Sequence, residues 1–380
     1  MAESDAERKL RVLHLIIVLG ETNGQYNEHC LPLMRERDIS IVTYFVPKLT
    51  PPPEITVFAG DGTLRGFFRA LRNALNVNAQ YDVVHAHAPQ TGTLLVLAAL
   101  AWRRFSRLRP SLVYTAQDSF HNYKPRNRAM MVVALATFTR VVFCSRSAYE
   151  SLPGTLKRLV RDRSRVVQNG ADLDRVDRAV AARTAERDGD GFTVLSVGRL
   201  ERVKDPLSLL NAFERSLAED VGSRAVFVGA GELSSAVTAR ALELGLQDRV
   251  VLTGLVPRDE VFMLCADADV FVSTSLGEGL PVAVLEAMAA GCPVILSEIP
   301  PHREVADGAD FIPFVEPGDV EGFAEAIRRF REMSREERRE IGRMCRSHMA
   351  ARFTLPIMRA GTEAVYREVA PSVGSMARTR

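Results

Sequence analysis

Short, nearly unbroken apolar runs recur through the first half of the chain, over residues 12–19, 39–45, 82–85, 111–115, 141–144 and 165–168. Helical patterns such as 91–104 separate them. Apolar strands alternating with helices predict a parallel sheet covered on both faces. The rhythm stops over 172–191, a polar, mixed-charge stretch ending in DGDG, the composition of an interdomain linker. It resumes at 193–197, 225–228, 250–253, 270–273 and 294–296, with helices starting at Asp205, at Glu232, near Arg258 and at Val282. Residues 320–369 read as three helices, the second highly charged (SREERREIGRM), and the tail from Gly374 is expected to fray.

The expected organisation is an α/β chain of two doubly wound domains: 1–175, a linker over 176–191, 192–355, and a last segment 356–380 crossing back over the first domain. Open α/β sheets bind ligands at the carboxyl ends of their strands. An active site is therefore expected where the two domains face each other.

Length supports two cores, because one hydrophobic core stops growing at roughly 250–300 residues, and this chain has 380. A hydrophobic fraction of 47% and a charged fraction of 25% exclude a disordered chain. Cys30, Cys144, Cys265, Cys292 and Cys345 are too scattered for a zinc or redox pair and read as reduced thiols. The polar start MAESDAERK and the short apolar run after it do not form an export signal, and no stretch reaches the roughly 20 apolar residues of a membrane helix. The expected location is cytoplasmic, at most peripheral on the inner face of the membrane. The net charge of +2 conceals an excess of basic residues in the first half. Residues 100–165 carry 14 Lys and Arg against three Asp and Glu, among them Arg103, Arg104, Arg107, Arg109, Lys124, Arg126, Arg128 and the run from Lys157 to Arg165. Such a face suits an anionic lipid surface or a phosphorylated substrate. No nucleic-acid partner is expected.

Two constellations carry chemistry. In the first, a strand ends at Gly198-Arg199-Leu200, and Lys204 follows in the loop before a helix, so two cations stand where a helix N-terminus already favours anions. They suit a leaving diphosphate. In the second, Glu278-Gly279-Leu280-Pro281 precedes a helix whose apolar run AVLEAMAAG holds Glu286. A turn of this kind offers backbone N–H groups to phosphate oxygens, and its carboxylates accept hydrogen bonds from sugar hydroxyls. Asp267-Ala268-Asp269 has the spacing of a carboxylate metal site, but it abuts the apolar strand at 270–273 and reads as an element cap, so no metal is expected there.

These motifs resemble the retaining glycosyltransferases of family 4, which have the GT-B fold. The resemblance spans nearly the whole chain and is tightest over 193–317. It rests on the G-R-L-x-x-x-K pattern at Gly198 to Lys204 and the E-x7-E pattern at Glu278 and Glu286. GAGE at 229–232, LTG at 252–254, AAGCPVI at 289–295, YDVVHAH at 81–87 and QNGAD at 168–172 add to it. It implies a nucleotide diphosphate sugar, UDP- or GDP-linked, as co-substrate, held mostly by the C-terminal domain without a metal or other cofactor. Arg199 and Lys204 would meet the diphosphate, and backbone amides at Gly279, Leu280 and Val282 its oxygens. Glu278 would meet a sugar hydroxyl and Glu286 the ribose. The acceptor implied is a lipid-linked or other cell-envelope glycan on the N-terminal domain.

The N-terminal half departs from the family in two places. Gln117, in Thr115-Ala116-Gln117-Asp118, stands where a histidine is usual, and a glutamine hydrogen-bonds but does not titrate. The paired glycines of the first loop are replaced by Gly20-Glu21-Thr22-Asn23-Gly24, which leaves Gly20 and Gly24 as the donor-facing positions. His85, His87 and His121 are candidates to compensate, although a buried histidine is the plainer reading of each. A non-catalytic nucleotide-sugar-binding relative and another enzyme of the same fold, such as an epimerase, remain open alternatives.

Overall fold

The computed structural model describes residues 9–21, 23–77, 81–101, 110–182, 191–217 and 220–370. Outside it lie Thr22, Arg103, Arg104, Arg107 and Arg109, most of the linker at 183–190, the polar start at 1–8 and the tail from 371. Two compact units divide the chain: residues up to Val167 together with those from Met358, and residues Gln168–Ile357.

The first unit holds a seven-stranded parallel sheet of β1 (Arg11–Ile16), β2 (Asp38–Thr43), β3 (Ile55–Phe58), β4 (Val83–Ala86), β5 (Ser111–Ala116), β6 (Arg140–Phe143) and β7 (Ser164–Val166). Its order is β3-β2-β1-β4-β5-β6-β7. The second unit repeats the plan with β8 (Thr193–Val197), β9 (Arg224–Val228), β10 (Val250–Gly254), β11 (Val270–Ser273), β12 (Val294–Ser297) and β13 (Phe314–Val315), ordered β10-β9-β8-β11-β12-β13. In both sheets the order reverses between the first and fourth strands, β1 and β4 in one, β8 and β11 in the other. That switch point is where an open α/β sheet leaves a crevice for ligand. Two strands, β3 and β13, escaped the sequence reading: both lie at a sheet edge, β3 buries only Ile55 fully and β13 has two residues.

In the second unit Phe192, Val194, Phe213, Phe227, Val272 and Ile295 belong to one buried cluster between sheet and helices. Helix Arg335–Arg352, the charged one, starts at a capping box in which Ser334 and Glu337 each satisfy the other's backbone N–H. All five cysteines are free and buried.

The expected boundaries need correction. The first unit ends at Val167 rather than 175, and Gln168–Asp172 belongs to the second unit. The backbone decides this. Ala171 N–H donates to Phe353 O at 2.8 Å, and Leu355 N–H donates to Ala171 O at 2.9 Å. Helix Leu173–Ala181, which the linker reading cut through, buries Val176 and Ala179, and its Arg175 pairs with Asp259. Helix Leu355–Val369 returns to the first unit from Met358 onward. There Glu363 pairs with Arg37, and Glu368 with Arg140 and Arg165.

Candidate active site

The loop leaving β8 is built against the loop leaving β9. Gly198 N–H donates to Val228 O at 2.9 Å, and Leu233 N–H to Leu200 O at 2.9 Å. A Cβ at Gly229 would sit 2.0 Å from Gly198 O, and one at Gly231 2.3 Å from Leu200 O. The glycines of GAGE are thus required by the close approach of two backbones.

From there the chain makes a short 3-10 turn, Arg202–Lys204, and Asp205 adopts a left-handed conformation with φ 49° before helix Pro206–Leu217. This conformation costs an L-residue about 1–2 kcal/mol. Thr274, just past β11, holds it by donating its hydroxyl to the carbonyls of Lys204 and Asp205 at 3.1 and 2.8 Å. Leu276 N–H adds a bond to Val203 O at 2.8 Å. Two loops from adjacent strands at the switch point are thereby fastened together.

Their charged side chains meet. Lys204 Nζ lies 2.5 Å from Glu278 Oε1, with the carboxylate nearly buried, and Ser275 Oγ donates to the same oxygen at 2.7 Å. Burial pushes the Glu278 carboxyl up, but Lys204, His302 and the two hydrogen bonds outweigh it and hold the group below the usual range. Glu278 is therefore an anion paired to a cation that faces the recess lined by Gly198, Arg199, Ser273 and Ser275. Arg199 leans outward, its side chain 65% exposed and paired with Glu201 at 2.7 Å.

Beyond Glu278, Gly279 and Leu280 lie buried, and Val282 opens helix Val282–Ala289 with Pro281 as its N-cap. Glu286 is buried in that helix and accepts from Arg258 Nε at 2.6 Å. Gln117, Gly20 and Gly24 belong to the first unit. Gln117 follows β5, and its buried amide nitrogen has no hydrogen-bond partner among the described residues. Gly20 follows β1 with open space where a side chain would stand, and Gly24 leads into the helical segment Gln25–Cys30. His85 and His87 are buried, whereas His121 is exposed on a short turn. Asp269 Oδ2 accepts the Thr193 N–H at 2.8 Å and Oδ1 faces Arg338 at 3.1 Å, so this carboxylate anchors the start of β8.

The sequence reading missed His302, Ser275, Thr274 and Arg258. The polar triplet Ser273-Thr274-Ser275 at the end of an apolar strand was the one visible signal. His302 Nδ1 donates to Ser297 O at 2.8 Å, and Nε2 lies 3.3 Å from Ser273 Oγ. Burial lowers its pKa to about 4 against the opposing pull of Glu278. An unfolded histidine titrates near 6.5, so below that pH the unfolded chain takes up a proton that the folded chain refuses. The His302 contribution to stability should be complete above pH 6.5 and fall by about 1.4 kcal/mol per pH unit down to about pH 4. In denaturant unfolding between pH 7 and 4.5, His302→Asn should show a correspondingly shallower fall than wild type; identical slopes would refute a neutral buried His302.

The basic stretch is less available than its composition implies. Arg163 donates to the carbonyls of Phe138, Leu135 and Leu159, Arg165 pairs with Glu368, Lys157 with Glu150, and Arg128 bonds Tyr123 O. Lys124, Arg126, Arg158 and Arg161 are exposed. No helix among the described residues is long and apolar enough to cross a membrane.

Known proteins resemble this chain in sequence and fold. The model for "Glycosyl transferases group 1" matches residues 177–348, and that for "Glycosyltransferase Family 4" matches residues 28–175. An Escherichia coli UDP-Gal:alpha-D-GlcNAc-diphosphoundecaprenol alpha-1,3-galactosyltransferase is 27% identical over 312 residues, 78% of this chain and 76% of that protein. A Xanthomonas campestris GDP-mannose:cellobiosyl-diphosphopolyprenol alpha-mannosyltransferase is 30% identical over 230 residues, 59% of this chain and 58% of that protein. The structure of Anabaena Alr3699/HepE with UDP-glucose superimposes with a TM-score of 0.74 at 18% identity, over 94% of this chain and all of that one, and so speaks for the fold. Two parallel sheets of one strand order and two adjoining family models covering residues 28–348 lead to one assignment: the chain belongs to the family 4, group 1 glycosyltransferases of GT-B fold.

Proposed function

We propose that the chain transfers a sugar, with retention of anomeric configuration, from a UDP- or GDP-sugar to a hydroxyl of a lipid-linked cell-envelope glycan. The observation that supports this most is the Lys204–Glu278 pair at the switch point of β8 and β11. In this reading the donor diphosphate enters the recess at Gly198, and Lys204 Nζ stabilises the negative charge that grows on the leaving phosphate. Glu278, ionised, keeps that ammonium aimed while its second oxygen receives a sugar hydroxyl. Arg199 turns from Glu201 toward the diphosphate. Glu286, steadied by Arg258, accepts the ribose hydroxyls, for which a carboxylate has lone pairs to spare. The amides of Gly279, Leu280 and Val282 meet phosphate or sugar oxygens; on the first unit Gly20 has open space where a side chain would stand, whereas the Glu28 carboxylate lies 3.2 Å from where one at Gly24 would begin. Gln117 hydrogen-bonds the sugar or acceptor without moving a proton. The reaction needs no metal at this site, because cations and dipoles neutralise the leaving group.

The names of the Escherichia coli and Xanthomonas relatives, each describing a diphosphopolyprenol acceptor, support the acceptor class. Exposed Lys124, Arg126, Arg158 and Arg161 support contact with an anionic membrane. A melting-temperature panel of UDP, GDP and ADP with their sugar conjugates, on wild type and Glu286→Ala without added metal, tests the donor assignment. One nucleotide family should raise the melting temperature of the wild type by mass action and do so less in the variant. Stabilisation that Glu286→Ala leaves untouched would refute the site. Donor binding with no slow hydrolysis of the sugar nucleotide would favour the non-catalytic relative.

A further inference from the structure

The parallel strand order gathers histidines on one face of the first unit's sheet. His85 on β4 and His87 just beyond it are two residues apart, so their side chains leave the same face. The β1–β4 register sets His14 directly beside His85. The rings of His85 and His87 stack with centroids 3.9 Å apart, His14 lies 5.2 Å from His87, and His29, from Gln25–Cys30, lies 4.8 Å from His87. All four are buried.

Hydrogen bonding leaves this cluster incomplete. A neutral imidazole carries one donor and one acceptor nitrogen. His85 uses both, with the Tyr366 hydroxyl at Nδ1 and the Thr115 hydroxyl at Nε2, each at 2.7 Å. His14 Nδ1 and His87 Nε2, 2.9 Å apart, share one proton. His14 Nε2, His87 Nδ1 and both nitrogens of His29 have no partner among the described residues. One lone pair of the His14–His87 pair and one on His29 are therefore buried with nothing to accept, an arrangement that native cores avoid.

We propose that His14, His85 and His87 form a binding site for a divalent transition-metal ion of the zinc type, with His29 as a fourth imidazole beside it. One nitrogen from each of the three residues falls within 4.8 Å of the others. Two imidazole nitrogens bound to a tetrahedral zinc at roughly 2.0–2.1 Å stand roughly 3.3 Å apart, so the three imidazoles would draw together around the ion. An all-imidazole set selects zinc, cobalt, nickel or copper over magnesium or calcium. His85 keeps one hydroxyl partner when the other nitrogen ligates, which orients its ring. If that partner is Tyr366, on helix Leu355–Val369, the ion ties the last helix to the sheet. The site is closed to solvent, so its role is structural, and it is independent of the donor reading, whose charged residues lie in the second unit.

The test uses the untagged full chain, stripped with chelator and titrated with Co2+. One equivalent should bind with the visible absorption of a nitrogen-rich site, Zn2+ should displace it, and the melting temperature should rise. His14→Gln and His87→Gln should each weaken uptake by more than about tenfold, while His348→Gln, on the second unit, should not. Absent uptake, or uptake indifferent to His14 and His87, overturns the proposal. X-ray absorption at the zinc edge of the loaded wild type decides the matter even where the variants do not fold. Three imidazole ligands are expected, and an oxygen-dominated shell or a single imidazole would overturn the site.

Discussion

Lys204→Ala is expected to lower turnover by about 10²–10³-fold, the loss that follows removal of one preorganised group from a developing negative charge. The ammonium sits 2.5 Å from a nearly buried carboxylate, at the one recess where the loops after β8 and β11 meet among the described residues. A complication is that the variant strands Glu278 without its cation, which costs stability as well as activity. The double variant Lys204→Ala with Glu278→Gln separates the two effects. It should recover most of the lost melting temperature while leaving turnover low, because the stranded charge is gone but the phosphate-facing cation is still missing. Turnover within a few-fold of wild type in folded Lys204→Ala would remove the leaving-group role altogether.

The second large effect expected is on stability. Asp269→Ala should cost about 3–5 kcal/mol, the usual loss when one partner of a buried ion pair is deleted. Asp269 holds both the Arg338 guanidinium and the Thr193 N–H, and Arg338 also lies over the Phe192 ring at 5.2 Å. Removing the carboxylate takes the counter-ion from a nearly buried guanidinium, which keeps its bond to the Phe330 carbonyl at 3.0 Å, and takes the acceptor from the Thr193 N–H. Asp269→Asn, which still accepts the N–H, should cost less. The denaturant midpoint measures both; a loss under about 1 kcal/mol for Asp269→Ala would mean that Arg338 finds another acceptor. The result also bears on the Asp267-Ala268-Asp269 spacing, since a carboxylate so committed has little left to offer a cation.

Legibility differed between elements for physical reasons. The long buried strands and the glycine-flanked motifs were readable because burial on both faces writes an unbroken apolar run, and a turn with special backbone needs writes a glycine. The edge strands β3 and β13, buried at one residue each, write neither. The end of the first unit was misplaced because helix Leu173–Ala181 is polar on its exposed side and resembles a linker locally; contacts distant in sequence, Arg175 with Asp259 and Asp177 with Arg346 among them, assign it to the second unit. Composition suggested a continuous basic face. Side-chain geometry withdrew Arg163 and Arg165 from it, since guanidinium groups long enough to reach inward cap carbonyls and pair with Glu368.

By itself, then, the sequence determined the α/β class, the two-domain plan, the family and the charged motifs Gly198 to Lys204 and Glu278 to Glu286, because each is written in local periodicity or in residues close along the chain. Tertiary structure alone decided which residues stand behind them. His302 near Glu278 and Arg258 on Glu286 join residues 24 and 28 positions apart, Thr274 holding Asp205 joins residues 69 apart, and His14 stands beside His85, 71 positions on. No local pattern encodes such pairs. The strand order creates them, by setting the first and fourth strands of each sheet side by side and bringing the loops that follow to one edge.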